Sequence, residues 1–123
     1  MKIKTGIDLI EINRIRKALE RHGERFLERI FTPGEIAECR NRAEALAACF
    51  AAKEAVVKAL GTGIGPVSWT EVECLHHASG EPYVVLHGSA RRIAEALGLT
   101  NWAVSQSHSQ EMATAVVVAL GEK

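Results

Sequence analysis

The sequence has little with which to bind nucleic acid. Lys plus Arg and Asp plus Glu both number 15, so the formal net charge is zero, and only 5% of residues are aromatic. An RNA-binding module needs a basic or aromatic face, and this composition supplies little of either, although a local basic patch stays open. Cysteines are three, Cys39, Cys49 and Cys74, with no C-x-x-C spacing. An odd number without a framework argues for a reducing compartment and against disulfides or zinc. No apolar run approaches the roughly 20 residues that cross a membrane. The start, MKIKTGIDLI, reads straight into a strand without a signal-peptide cleavage pattern, so the expected location is the cytoplasm. A G-x-S-x-G elbow is missing as well, which leaves a hydrolase reading little support.

What is present fits one domain over 1–123. A chain of 123 residues, 47% apolar and 24% charged, can bury roughly two thirds of its unfolded surface without staples. Residues 2–10 predict a strand rich in Ile and Leu. A helix follows over about 11–22, with Ile12, Ile15 and Leu19 on one face and Gly23 as its stop. The segment ERFLERI is a short helix. Thr32-Pro33-Gly34-Glu35 starts another, with Thr32 as N-cap, Pro33 at the first helical position and Glu35 closing a capping box. The strongest helix spans 43–60, dense in Ala and stopped by Gly61. Strands near 70–77 and 82–87 flank Ser79-Gly80-Glu81-Pro82. A helix over 89–97 begins at Ser89, and WAVSQSHS and ATAVVVAL form a hairpin around Gln110-Glu111. This order predicts an α+β fold, a mainly antiparallel sheet packed against helices.

Several residues break the local pattern. Asp8 stands in Ile7-Asp8-Leu9-Ile10, where a carboxylate is costly without a partner. It can N-cap the next helix with Glu11, or serve a metal or substrate, and the two roles are compatible. In helix 43–60, Lys53 falls within the stripe Leu46, Phe50, Val57, Leu60, with Glu54 and Lys58 along one edge. Lys53 can snorkel, and Glu54–Lys58 can be a solvated i,i+4 pair. The same set offers one carboxylate and two cations in a small volume, which suits a metal ion and a phosphate. Gly61-Thr62-Gly63-Ile64-Gly65 reads as a helix stop and turn, or as a loop that lets a ligand approach the backbone. Arg14 and Arg21 lie on one line, about 120° or more from the Ile15–Leu19 face, and Arg25 continues it only if the helix persists past Gly23. That ridge is either solvated or a docking surface for an acidic partner. His108 shares a strand face with Val104 and Gln106, and no metal-ligand spacing links it to His22, His76, His77 or His87.

Taken together, the segments resemble the holo-acyl-carrier-protein synthase family of 4′-phosphopantetheinyl transferases. The resemblance rests on Gly6-Ile7-Asp8 with Arg14-Ile15, on Phe31-Thr32-x-x-Glu35, and on Phe50-Ala-Ala-Lys53-Glu54-Ala55-x-x-Lys58-Ala59-x-Gly61-Thr62-Gly63. Ser105-x-Ser107-His108 and the last apolar strand also fit, so the match runs in order along the whole chain. One departure stands out: many members carry a basic residue just before Phe50, where this chain has Cys49.

The resemblance implies transfer of the phosphopantetheine arm of coenzyme A to a serine of acyl carrier protein, with 3′,5′-ADP leaving. It implies Mg²⁺ on Asp8 and Glu54, with the coenzyme's pyrophosphate completing the shell. Lys58 would neutralise phosphate oxygens, and Lys53, Gly61, Gly63 and His108 would contact substrate. Glu54 is one candidate base for the serine, a water on the metal the other. Arg14, Arg21 and Arg25 would meet the acidic helix that such carriers resemble one another in having. Family members of this length resemble trimers with active sites between chains. No nucleic acid or membrane is implied as a partner. Two alternatives stand beside this: another coenzyme A enzyme such as an acyltransferase, and a non-catalytic α+β binding module.

Overall fold

The Ala-rich run is the axis around which the other elements are laid. The computed structural model describes residues 1–122. In chain order the elements are β1 (Lys2–Glu11), α1 (Ile12–His22), α2 (Glu24–Ile30), α3 (Pro33–Cys39), α4 (Ala43–Leu60), a 3-10 turn (Trp69–Glu71), β2 (Val72–His76), β3 (Pro82–Leu86), α5 (Gly88–Ala96), β4 (Leu99–His108) and β5 (Met112–Gly121). One sheet has the order β1-β5-β4 and the other is the β2–β3 hairpin, and both are antiparallel. The α+β expectation holds.

Helix α4 forms because Ala carries little entropic cost in a helix. Gly61 ends it in the left-handed region (φ 77°), and its N–H returns to the Val57 and Lys58 carbonyls. Small side chains let the helix lie close to the sheet. Ala51 and Ala52 are buried in one cluster with Ala113 and Ala115, and Ala55 in a second with Val117. The closest approach is at Gly6 of β1, where a Cβ would overlap the Ala55 carbonyl oxygen. Gly6 and Asp8 are two residues apart on a strand and so share a face. The contact that requires glycine therefore turns Asp8 toward α4.

Several boundaries differ from the sequence expectation. Strand β1 continues to Glu11, so Asp8 lies within a strand; Glu11 is the N-cap of α1 and makes no side-chain capping bond. The capping reading of Asp8 is thereby corrected. Gly23 (φ 51°, ψ −127°) breaks the helix, and Arg25 sits on α2 rather than continuing the α1 ridge. Strand β2 begins late because Ser68 and Glu71 form a capping box that winds Trp69–Glu71 into the 3-10 turn. Helix α5 begins one residue before Ser89, and the Glu71 carboxylate takes the Ser89 N–H at 2.7 Å.

The capping box at the start of α3 is present as expected from Thr32, Pro33 and Glu35. The inner face of the three-stranded sheet covers α4. Its outer face carries Ile3, Ile7, Leu9, Val116 and Leu120, all exposed. Among the described residues no helix is long and apolar enough to cross a membrane.

Candidate active site

Asp8, Glu54 and Lys58 come together where β1 crosses the second half of α4. The Lys58 Nζ donates to the Ile7 carbonyl at 2.9 Å and lies 3.2 Å from Asp8 Oδ1. The Asp8 side chain is 17% exposed and that of Lys58 53%, so the ammonium can still reach an incoming group. Burial pushes the Glu54 carboxyl above its usual range, the charge of Asp8 pushes it further, and Lys58 opposes both. Two carboxylates thus repel each other at one place, and a divalent cation there would relieve the repulsion. Among the described residues no group of three or more ligating side chains exists. This donor set fits Mg²⁺, which takes one or two carboxylates and fills its shell with water and substrate oxygens.

Lys53 is elsewhere. It is 0% exposed, and its Nζ donates to Glu35 Oε1 at 2.7 Å and to the Val72 carbonyl at 2.6 Å. Glu35 also accepts from Thr32 N–H at 2.9 Å and Cys74 N–H at 2.8 Å. The pair joins α3, α4 and β2 inside the core. This corrects both the snorkelling and the substrate-binding expectation for Lys53, since an ammonium enclosed by an acid and a carbonyl has no open side. The Phe31-Thr32-x-x-Glu35 segment supplies that acid. Nearby, burial works to raise the Glu73 carboxyl, but the Thr32 hydroxyl (2.6 Å) and His87 (3.0 Å) outweigh it and leave it lowered.

His108 lies at the end of β4 on the rim of an open cavity of about 860 Å³. Arg40, Arg42, His76, His77 and Gln106 line the same cavity, as do Glu38 and Glu44. Sequence reasoning gave Arg40, Arg42, His76 and His77 no role in a site. The available signal was Arg40-Asn41-Arg42 between two helices and the His76-His77 pair before a turn. Cys49 is 3% exposed and faces the core, so it supplies no phosphate contact. The three cysteines are free and buried.

The cavity and the carboxylate cluster flank α4 on opposite sides. Asp8 and Gln106 both pair with Ala115, from the two neighbouring strands. They are about 10 Å apart across the sheet, with the helix over the row between them. Gln106 meets α4 at the Ala48 carbonyl, whereas Asp8 faces Glu54 and Lys58 about 9 Å further along the axis. Gly61 and Gly63 both have positive φ (77° and 67°), and no atom lies within 4 Å of a Cβ built on either. Their backbone conformation, not crowding within the chain, accounts for glycine there.

Arg14 and Arg21 are exposed on α1, and neither joins an ion pair among the described residues. Arg25 lines a smaller cleft of about 360 Å³ with His22, Phe26, Arg29, Ile30 and Trp69.

The fold and the Asp8–Glu54–Lys58 cluster define an α+β protein suited to holding a divalent cation and a phosphate together. The sequence profile of the 4′-phosphopantetheinyl transferase superfamily matches residues 4–117, and the chain belongs to that family. It is 46% identical to holo-[acyl-carrier-protein] synthase of Herpetosiphon aurantiacus, covering 95% of this chain and 98% of that one. It is 50% identical to the same enzyme of Dehalococcoides mccartyi, covering 94% and 96%. The crystal structure of Helicobacter pylori holo-[acyl-carrier-protein] synthase in complex with coenzyme A superposes with a TM-score of 0.86 at 33% identity, covering 94% of this chain and 99% of that one.

Proposed function

We propose that this chain moves 4′-phosphopantetheine from coenzyme A to a serine of apo-acyl-carrier protein, with Mg²⁺, releasing 3′,5′-ADP in the cytoplasm. The observation that carries the reading is the convergence of Asp8, Glu54 and Lys58, in a family whose relative binds coenzyme A. Mg²⁺, when bound, supplies charge neutralisation for the pyrophosphate. Asp8 and Glu54 offer it two carboxylates. Lys58, already tethered to the Ile7 carbonyl and half-exposed, holds a cation where phosphate charge develops. In the step itself the serine oxygen bonds to the β-phosphorus and the phosphoanhydride oxygen leaves with 3′,5′-ADP. The hydroxyl proton is taken by a base, for which Glu54, its carboxyl raised by burial and by the charge of Asp8, is our candidate side chain. Such transfer rests mostly on position and electrostatics.

Within one chain, α4 separates this cluster from the cavity of Arg40, Arg42 and His108. A coenzyme A whose terminal phosphate sits in that cavity would have to pass α4 to reach the cluster of its own chain, and we propose that it reaches the cluster of a neighbouring copy instead. The exposed apolar outer face of the three-stranded sheet offers the contact through which copies would meet. This supports an assembly of copies with sites between chains, and the homotrimer is the assembly we propose. Incubating the protein with coenzyme A, Mg²⁺ and an apo-carrier, then weighing the carrier by mass spectrometry, tests the reading. Addition of the arm that stops with EDTA supports it. An unmodified carrier sinks it, and acyl transfer without metal favours the acyltransferase alternative.

A further inference from the structure

His76 makes contacts that a neutral histidine cannot all satisfy. It ends β2, exposed at the cavity wall. Its Nδ1 lies 2.9 Å from Glu38 Oε1, and its backbone N–H donates to Glu38 Oε2 at 3.2 Å. Its Nε2 lies 3.1 Å from Gln106 Oε1. The Gln106 amide is oriented by its other end, where Nε2 donates to the Ala48 carbonyl at 3.0 Å. A carbonyl only accepts, so the amide oxygen must face His76. Both ring nitrogens of His76 therefore face acceptors. Neutral imidazole has one N–H and imidazolium two. The chain Glu38–His76–Gln106–Ala48 closes only when the ring carries both protons.

The two ends of this clasp carry the cations of the cavity. Glu38 on α3 stands two residues before Arg40, and Arg40 and Asn41 leave the helix in the left-handed region (φ 52° and 57°). Arg42 follows, its Nε held by the Cys39 carbonyl at 3.2 Å. Gln106 stands two residues before His108 on the same face of β4. The contacts of His76 thus tie the segment that bears the arginines directly to the strand that bears His108.

We infer that His76 is a positioning residue for the phosphate-binding wall: as a double donor it holds α3 to β4 at the separation where Arg40, Arg42 and His108 address one phosphate. This rests on the reading of the cavity as part of the coenzyme A site. Loss of one ring proton breaks either the Glu38 or the Gln106 contact and lets the banks separate. The charged and titratable groups around the ring are Glu38 and Cys39 from α3, Arg40 and Arg42 from the α3–α4 link, Glu44 from α4, Cys74 and His77 from β2 and its turn, Tyr83 from β3, and His108 from β4. His77 is stacked on Tyr83 at 4.2 Å. His108 is a second histidine on the same wall, so the test must separate the two.

The experiment measures kcat and KM for coenzyme A across about pH 6 to 8.5, a range that spans histidine titration, for the wild type and for His76→Gln, Glu38→Gln and His108→Gln. In the wild type, KM should rise with pH while kcat changes less. His76→Gln should raise KM about three- to tenfold at the acid end, the loss expected from one positioning contact, and should flatten the slope. Glu38→Gln should do the same. His108→Gln should raise KM yet keep a slope. In parallel, NMR of the ring nitrogens in ligand-free protein should show Glu38→Gln releasing a proton from His76. Unchanged KM and slope in His76→Gln overturns the inference, as does a parallel loss of kcat and thermal stability. If even the wild type does not use coenzyme A, the functional reading fails instead, and the nitrogen spectra alone decide whether the clasp exists.

Discussion

Gly6 of β1 lies so close to Ala55 of α4 that a single methyl on it would overlap the Ala55 carbonyl oxygen. Asp8 is carried to Glu54 and Lys58 by this contact. Gly6→Ala must push β1 and α4 apart, and the obstacle is backbone, which yields poorly. Overpacking of this kind costs about 1–3 kcal/mol. The variant should show that loss in urea unfolding, and its Mg²⁺ requirement should rise because Asp8 has moved from Glu54. An unchanged Mg²⁺ titration would mean the spacing does not set the cluster.

The cluster predicts opposite effects on activity and stability. Glu54→Gln should lower transfer by at least about 100-fold, the scale for removing a charge aligned with the transition state. It should leave Tm unchanged or slightly higher, since ionised Glu54 repels Asp8. The sign follows from linkage. The Glu54 carboxyl is raised from 4.5 in the native state. Between that ordinary value and the raised one, the native state keeps a proton the unfolded chain has lost, so this group's contribution to stability falls as pH rises. Activity should lose its acid limb at a higher pH than an ordinary glutamate gives, and more Mg²⁺ should move that limb down, because cation and proton compete for one group. A limb insensitive to Mg²⁺ would remove Glu54 from the ligands. Asp8→Asn should share the activity loss.

Lys53 and Glu35 should behave as a structural pair. Removing either member of a fully buried pair costs about 3–5 kcal/mol, because the survivor keeps an uncompensated charge. Lys53→Met and Glu35→Gln should each lower stability on that scale, and the double variant should lose less than the two together. Whatever protein remains folded should keep the wild-type KM for coenzyme A. A selective rise in that KM would return Lys53 to the substrate.

Much of this was legible in the sequence, for local reasons. The Ala run with its terminal glycine, the Thr32–Glu35 capping box and the hairpin at Gln110-Glu111 are decided by neighbours along the chain, and each stands where it was read. What the sequence hid is decided across the fold. Lys53 resembles a snorkelling lysine until Glu35, 18 positions away, is placed beside it. The Asp8 cap was plausible until pairing with β5 carried β1 on to Glu11. The arginines and histidines of the cavity, from Arg40 to His108, are assembled from the α3–α4 link, the end of β2 with its turn, and β4. No periodicity joins such segments.

The last prediction concerns the carrier protein. Arg14 and Arg21 are exposed and without an ion-pair partner among the described residues, so their charge is available to another molecule. Arg25 has moved to α2, where it lines a cleft with Phe26, Arg29 and Trp69, and its contribution should be separable from theirs. Complementary rims chiefly speed encounter and weaken as salt rises. Arg14→Glu and Arg21→Glu should each raise the KM for an acidic carrier about three- to tenfold at low salt, since reversing one rim charge acts mainly on association, while KM for coenzyme A stays within twofold. Raising salt to about 0.15 M, where the Debye length is near 8 Å, should weaken the wild type more than the variants, because screening removes what the substitutions have already removed. The ratio between the two substrates decides the matter. Equal losses for both would mean that the reversals disturb the site. No loss for either would leave the α1 ridge a solvated face and place carrier docking elsewhere, with the Arg25 cleft the next surface to reverse.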